Sequence, residues 1–302
     1  MLIDCDPGHD DAVALVVASR FADLVGVTTV AGNAPLEHTT RNARIVLDLV
    51  GSDVPLHSGA LRPLVAPARH AQNVHGENGL AGADLPEPSR PADSEDAVGF
   101  IIDTCRSTEG LWLVPIGPLT NIALALRTAP DIAERIAGIS LMGGGTFGNR
   151  TASAEFNIWA DPEAAAMVFG YGGPLIMSGL DVTHQLQATR ERTEAMRAIP
   201  GTIGPLFADL FAYFLPLIEQ HVPDLQGAPM FDVCAVLSVT HPDLFEGTDN
   251  NVVVETKGEH TAGMTLIDRR GYPRMPEANC RVQWTIDHEA AFGLIVEALT
   301  SF

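Results

Sequence analysis

Lysine is almost missing from this chain. Lys257 stands alone, and lysine and arginine together number 18 against 38 acidic residues, for a formal charge of −20. Nucleic-acid polymers and anionic membranes are gripped by clustered Lys and Arg, so this balance excludes both as natural partners and favours a neutral or cationic small ligand. Cysteine is scarce as well. Cys5, Cys105, Cys234 and Cys280 are widely separated with no Cys-x-x-Cys pair, which reads as small buried apolar residues in a reducing compartment, not as a disulfide framework or zinc site. No apolar run reaches the length of a membrane span, and a strand and motif follow Met1 at once, so no signal peptide is expected and the expected compartment is the cytoplasm. The triplet Gly143-Gly144-Gly145 has no Gly-Lys-Ser/Thr after it. It therefore reads as a pocket wall and not as a phosphate loop.

What is present is enough apolar material, 46% of 302 residues, to bury a sizeable core, read here as a single catalytic domain over residues 1–302. Strand-like runs at 24–30, 111–116, 136–142 and 175–181 alternate with helical periodicity at 39–50, 97–105 and from Leu119. That alternation predicts an α/β fold with an open, mostly parallel central sheet flanked by helices, a Rossmann-like core. Ligands of such sheets bind beyond the carboxyl ends of the strands. Late strands are expected at 252–255 and 281–286, with a closing helix from His288 to Leu299. Residues 189–225 read as mostly helical, their Phe, Leu and Tyr stripe serving as core or subunit contact.

The chain is organised around Asp4-Cys5-Asp6-Pro7-Gly8-His9-Asp10-Asp11, with apolar Leu2-Ile3 before it and the helix-compatible run from Ala12 to Ala18 after it. Proline fixes φ and glycine permits a sharp reversal, so the order is strand, tight turn, helix. Asp10 and Asp11 fall at the helix start, where its dipole favours negative charge. One Asp in that place is an N-cap. Four carboxylates exceed what a cap uses, and a hard divalent cation with oxygen ligands relieves their repulsion.

This stretch resembles the N-terminal signature of the inosine-uridine nucleoside hydrolase family, calcium-dependent enzymes that hydrolyse the N-ribosidic bond of nucleosides. The resemblance runs almost the full length of the chain. It implies a Ca2+ cofactor, a ribonucleoside substrate, a nucleoside hydrolase-like fold and assembly as a homodimer or homotetramer. By the same resemblance Asp6 is both calcium ligand and the base that takes a proton from the calcium-bound water. Asp11 is the principal metal carboxylate, completed by Asp232 and the backbone carbonyl of Ile116. Asp10 and Asn157 would bind the 2′ and 3′ hydroxyls, with Asn149 and Glu155 near the 5′ hydroxyl, and the segment from Met142 to Ala165 carries that ribose pattern.

Read from the residues alone, several of these have plainer roles. Asn33 is a turn residue at a strand end as readily as a ligand, His75 an ordinary loop histidine in the proline- and glycine-rich stretch 55–91, and Asp232 and Asp161 helix caps. His184 also matches a residue of the family pattern but reads as structural, and Trp159 reads as packing. One departure from the family pattern concerns the leaving base. Phe231 occupies the place of a histidine common in members that act on inosine, and Val233 that of the usual proline, so Phe231 is expected to stack on the base while His75 or His221 supplies the proton. Two other readings remain open: a catalytically silent nucleoside-binding homologue, suggested by Phe231, and a haloacid-dehalogenase-like phosphatase, which also uses Asp-x-Asp after its first strand. The latter needs a downstream basic residue, and Lys257 lies in no such motif.

Overall fold

The computed structural model describes residues 1–222, 224–271 and 276–302. Among the described residues eleven strands are formed: β1 (Leu2–Cys5), β2 (Gly26–Thr29), β3 (Leu56–Ser58), β4 (Trp112–Pro115), β5 (Gly138–Met142), β6 (Leu175–Ser178), β7 (Gln187–Thr189), β8 (Gly227–Pro229), β9 (Phe245–Val254), β10 (Thr265–Asp268) and β11 (Cys280–Ile286). Nine of them make one sheet in the order β10-β9-β11-β6-β5-β4-β1-β2-β3, while β7 and β8 pair separately. Every pairing from β11 through β3 is parallel, and β9 runs antiparallel to both β11 and β10. The sheet is open and mostly parallel, as the alternation of periods implies.

All residues of β1, β2 and β5 are buried. Helices on both faces leave central parallel strands no wet side, so their sequences show no alternation of apolar and polar residues, and the few polar ones, Asp4, Thr28, Thr29 and Ser140, are buried. From β1 the chain steps outward to β2 and β3, then returns to β4 on the other side of β1 and moves away through β5 to β6. The order thus reverses between β1 and β4, where an open α/β sheet leaves a crevice at its carboxyl edge. Asp6 follows β1 there, and Ile116 follows β4.

Two buried helices point their N-termini at that crevice. The helix His9–Phe21 is buried from His9 through Ala18, and Phe231–Thr240 from Asp232 through Ser238; the two pack together. A helix apolar on all sides has to lie inside the molecule, so residues more than 200 positions apart meet.

Boundaries shift where local chemistry intervenes. The second helix begins at Leu36, behind Pro35, and not at Thr39. Leu180 and Asp181, read as a strand tail, belong to the helical turn Leu180–Thr183, which Gly144 anchors by accepting the Leu180 N–H at 2.9 Å. The helical stretch after Thr189 is two helices, Arg190–Arg197 and Ile203–His221, parted at Pro200-Gly201. Its aromatic stripe is core: Phe207, Phe211 and Phe214 are buried, and Tyr213 alone of them stands 41% exposed. Among the described residues no helix is long and apolar enough to cross a membrane.

Candidate active site

Asp11 is turned back over the Pro7-Gly8 bend. Its carboxylate accepts the N–H of Gly8 at 2.9 Å, that of Asp6 at 3.0 Å and the Asn33 side-chain amide at 3.1 Å. Gly8 is the helix N-cap, so the third helical residue caps its own start while staying in the crevice. Asn33, in the turn after β2, also donates its backbone N–H to Asp6 Oδ2 at 2.7 Å. The other oxygen, Asp6 Oδ1, is buried without a hydrogen-bond partner. A carboxylate oxygen held dry and unpaired is costly unless something positive meets it.

From the opposite helix, Asp232 brings its carboxylate to Asp10 and Asp11, and one oxygen of each lies within 4.8 Å of the other two. The tightest cluster therefore contains Asp10, expected among the ribose ligands, while Asp6 joins through Asn33, which donates to both Asp6 and Asp11, and through its own N–H to Asp11. The Ile116 carbonyl accepts the Asn157 side-chain amide at 2.9 Å, and the Met142 carbonyl accepts the same group at 3.2 Å. A carbonyl has two lone pairs, which leaves one on Ile116 for a cation.

Burial first, then the charge of neighbouring carboxylates, pushes Asp6 and Asp232 well above the ordinary carboxylate range, and Asp10 up to about 7. Asp11 is raised by burial too, against the pull of its N–H donors. None of the main influences on these four groups comes from a lysine or arginine. An all-oxygen, strongly anionic and buried donor set fits a hard divalent ion. Asp4 is different: fully buried, it accepts from Thr28 and Asn121 at 2.7 and 2.8 Å and ties β1 to β2 and to the helix after β4.

Above the cluster opens a cavity of about 720 Å³, a size that accommodates a nucleoside-sized ligand. Asp10, Asn33, Asn149, Glu155, Asn157 and Asp232 give it a polar side, and Phe147, Phe214, Phe231 and Val74 an apolar one. Met142 and Ile116 join the wall, whereas Asp6 and Asp11 are fully buried behind it. Glu155 is the N-cap of Phe156–Ala160, accepting the N–H groups of Asn157, Ile158 and Gly144, and burial lifts its carboxyl to about 7. Asp161 is the cap expected of it, accepting from Ala164.

The histidines divide. His75, at the end of the short helix Gln72–His75, lines the cavity, and its Nδ1 lies 2.9 Å from that of His9. Burial pulls His9 down to about 4 and His75 well below the usual histidine range. His184, read from sequence as structural, stands in the wall 5.8 Å from Phe231 and 5.2 Å from Phe147, ring to ring. The side chain of His221 lies outside the described residues. Trp159 does pack, beneath the guanidinium groups of Arg69 and Arg150 at 4.0 and 5.0 Å. Sequence reasoning passed over His9, Phe147 and Phe214; only Phe214 carried a signal, its place in the helical aromatic stripe.

The family described as inosine-uridine preferring nucleoside hydrolase matches residues 1–293. The pyrimidine-specific ribonucleoside hydrolase RihA of Shewanella woodyi is 43% identical, over 100% of this chain and 98% of its own length. Its namesake from Escherichia coli is 41% identical over 99% of this chain and 97% of its own. Among solved structures, the purine-preferring ribonucleoside hydrolase from Gardnerella vaginalis superposes with a TM-score of 0.92 at 33% identity, covering 99% of this chain and 98% of that one.

Proposed function

The chain belongs to the inosine-uridine preferring nucleoside hydrolase family, and from that premise we propose how its site divides the work and which nucleosides it takes. The protein is a ribonucleoside hydrolase, an N-glycosidase of a metal-dependent family. Neither a phosphatase nor a silent binder is favoured. The observation that carries the site assignment is the meeting of Asp10, Asp11 and Asp232 within 4.8 Å, Asp10 and Asp232 lining a nucleoside-sized cavity and Asp11 buried behind them.

The cation this donor set would hold is calcium, with Asp11 and Asp232 as its carboxylates and Asp6, Asp10 and the Ile116 carbonyl around them. When bound, calcium supplies positive charge that makes a coordinated water more acidic and neutralises the buried carboxylates. Asp6, whose Oδ1 has no other partner, accepts the proton of the attacking water. As the water oxygen bonds to C1′, the C1′–N bond breaks and its electron pair leaves with the base. Asp10 and Asn157 orient the 2′ and 3′ hydroxyls, and Asn33 steadies the loop beside them. Asn149 and Glu155 lie toward the 5′ hydroxyl; Glu155 acts chiefly by holding Gly144 and the start of the Asn157 helix. Fixed negative charge around a ribose that turns cationic in the transition state needs no rearrangement during the reaction. The base lies against Phe231, toward Phe147 and His184. Pyrimidine nucleosides are the preferred substrates, a reading supported by the names of relatives more than 40% identical. The enzyme works in the cytoplasm as a homodimer or homotetramer.

The test is release of free ribose from uridine, cytidine, inosine and adenosine, with and without a chelator, by wild type and Asp6→Asn. Wild type should favour uridine or cytidine and stop on chelation, and Asp6→Asn should lose about 10²–10⁴-fold in kcat, the range of general-base catalysis. Chelator-resistant turnover, or an Asp6→Asn variant with wild-type kcat, overturns the assignment.

A further inference from the structure

We propose that His9 fixes the tautomer of His75, so that His75 turns a bare Nε2 toward the bound nucleoside and accepts a hydrogen bond from it. The inference rests on the assignment of the cavity as the nucleoside site and adds a role to two of its residues.

The argument starts from an atom that cannot donate. The Ala81 carbonyl lies 2.8 Å from His9 Nε2, and a carbonyl only accepts, so that nitrogen carries the proton. A neutral imidazole has one N–H, which leaves His9 Nδ1 with a lone pair. His75 Nδ1 is 2.9 Å away, and two lone pairs at that distance repel, so the proton between them belongs to His75. A second proton on His75 would sit at Nε2 with no acceptor among the described residues, so the ring carries one N–H and its Nε2 is bare. That nitrogen bonds to nothing else among the described residues, and the ring forms part of the cavity wall.

Enclosure keeps both rings neutral and in place. His9 is fully buried, His75 is 7% exposed, and the pair stacks with ring centroids 5.1 Å apart. Phe214 lies 5.3 Å from His9 and 5.4 Å from His75, and Tyr213 5.9 Å from His9. The opposite tautomer would aim a His9 lone pair at the Ala81 oxygen and lose that bond inside the protein, the expensive kind of loss. His9 is thus a positioning residue. His75 does not act as the acid for the departing base in this state; it selects a hydrogen-bond donor, a hydroxyl or an N–H of the nucleoside.

The measurement is long-range proton–nitrogen NMR on the full-length, calcium-loaded protein labelled with 15N-histidine, with His75 assigned by loss of its signals in His75→Gln. The expected spectrum shows His75 protonated at Nδ1 and bare at Nε2, and His9 the reverse. His9→Phe keeps a ring in the stack but removes the acceptor, so His75 should move to the Nε2–H form and KM for the nucleoside should rise about tenfold, the worth of one hydrogen bond. His9→Gln, whose side-chain oxygen accepts the same proton, should restore both. A wild-type His75 with Nε2–H, or a cationic pair, overturns the proposal even if neither variant folds. So does a folded His9→Phe with unchanged tautomer and KM. Chelator-sensitive ribose release alongside the wrong tautomer sinks this inference alone, whereas the expected tautomer in a protein that releases no ribose sinks the nucleoside-site assignment instead.

Discussion

Phe231 occupies the first position of the helix Phe231–Thr240, directly before Asp232 of the buried carboxylate cluster. A ring fixed by a buried helix is a rigid platform for a flat base, and base–aromatic stacking contributes about 1–3 kcal/mol by alanine substitution. Phe231→Ala should therefore raise KM for uridine about tenfold or more and leave kcat within a few-fold, because the ring gains nothing in the transition state over the ground state. Steady-state kinetics decide it: an unchanged KM would remove Phe231 from the base site. Residues such as Asp6, Asp10 and Asp11 could be picked out of the sequence because their density in one short stretch is abnormal by itself. Phe147 and His9 could not, since each owes its role to a partner tens of residues away, His184 for Phe147 and Ala81 for His9.

Between strands and helices, the site depends on turns small enough to close around Asp6. A Cβ on Gly117, in the turn after β4, would stand 2.5 Å from Asp6 Oδ1 and 3.0 Å from Val30 Cγ1, and one on Gly32, in the turn after β2, would overlap Asp6 Oδ2. These glycines are needed for the space they leave. Gly117→Ala forces Asp6 or the turn to move, and overpacking of this kind costs about 1–3 kcal/mol. Displacing a reacting group by an ångström costs on the order of 10²-fold in rate. The variant should melt below wild type and lose about that much kcat while keeping its circular dichroism spectrum; wild-type kcat would show that Asp6 need not be held there. The same elements explain what was legible of the fold. β1, β4, β5 and β6 announce themselves as largely apolar runs and β2 as a β-branched one, because parallel strands are covered on both faces. β3, with Leu56-His57-Ser58, and the short β7 and β8 have no such run and exist through their neighbours in space.

Across the whole molecule, the charge of −20 and the buried carboxylates pose one problem at two depths. Surface repulsion is screened by salt, but charge in the crevice is not. Without a cation, the site is relieved only by protons. Asp6, Asp11 and Asp232 are raised, and Asp10 reaches about 7, when the carboxylates have only one another for company. Unfolded, the same groups titrate at about 3.9. The metal-free folded chain therefore binds more protons than the unfolded chain between those limits, and its stability falls as pH rises through the folded values. A bound divalent ion takes the place of those protons and stabilises the folded state by mass action. The melting temperature of chelated protein should accordingly drop from pH 5 to pH 8, and added calcium should raise it more at pH 8 than at pH 5. Calorimetry with and without chelator provides the check. Equal melting temperatures for chelated protein at the two pH values would mean that the four carboxylates are not confined together, and the metal centre would have to be sought elsewhere.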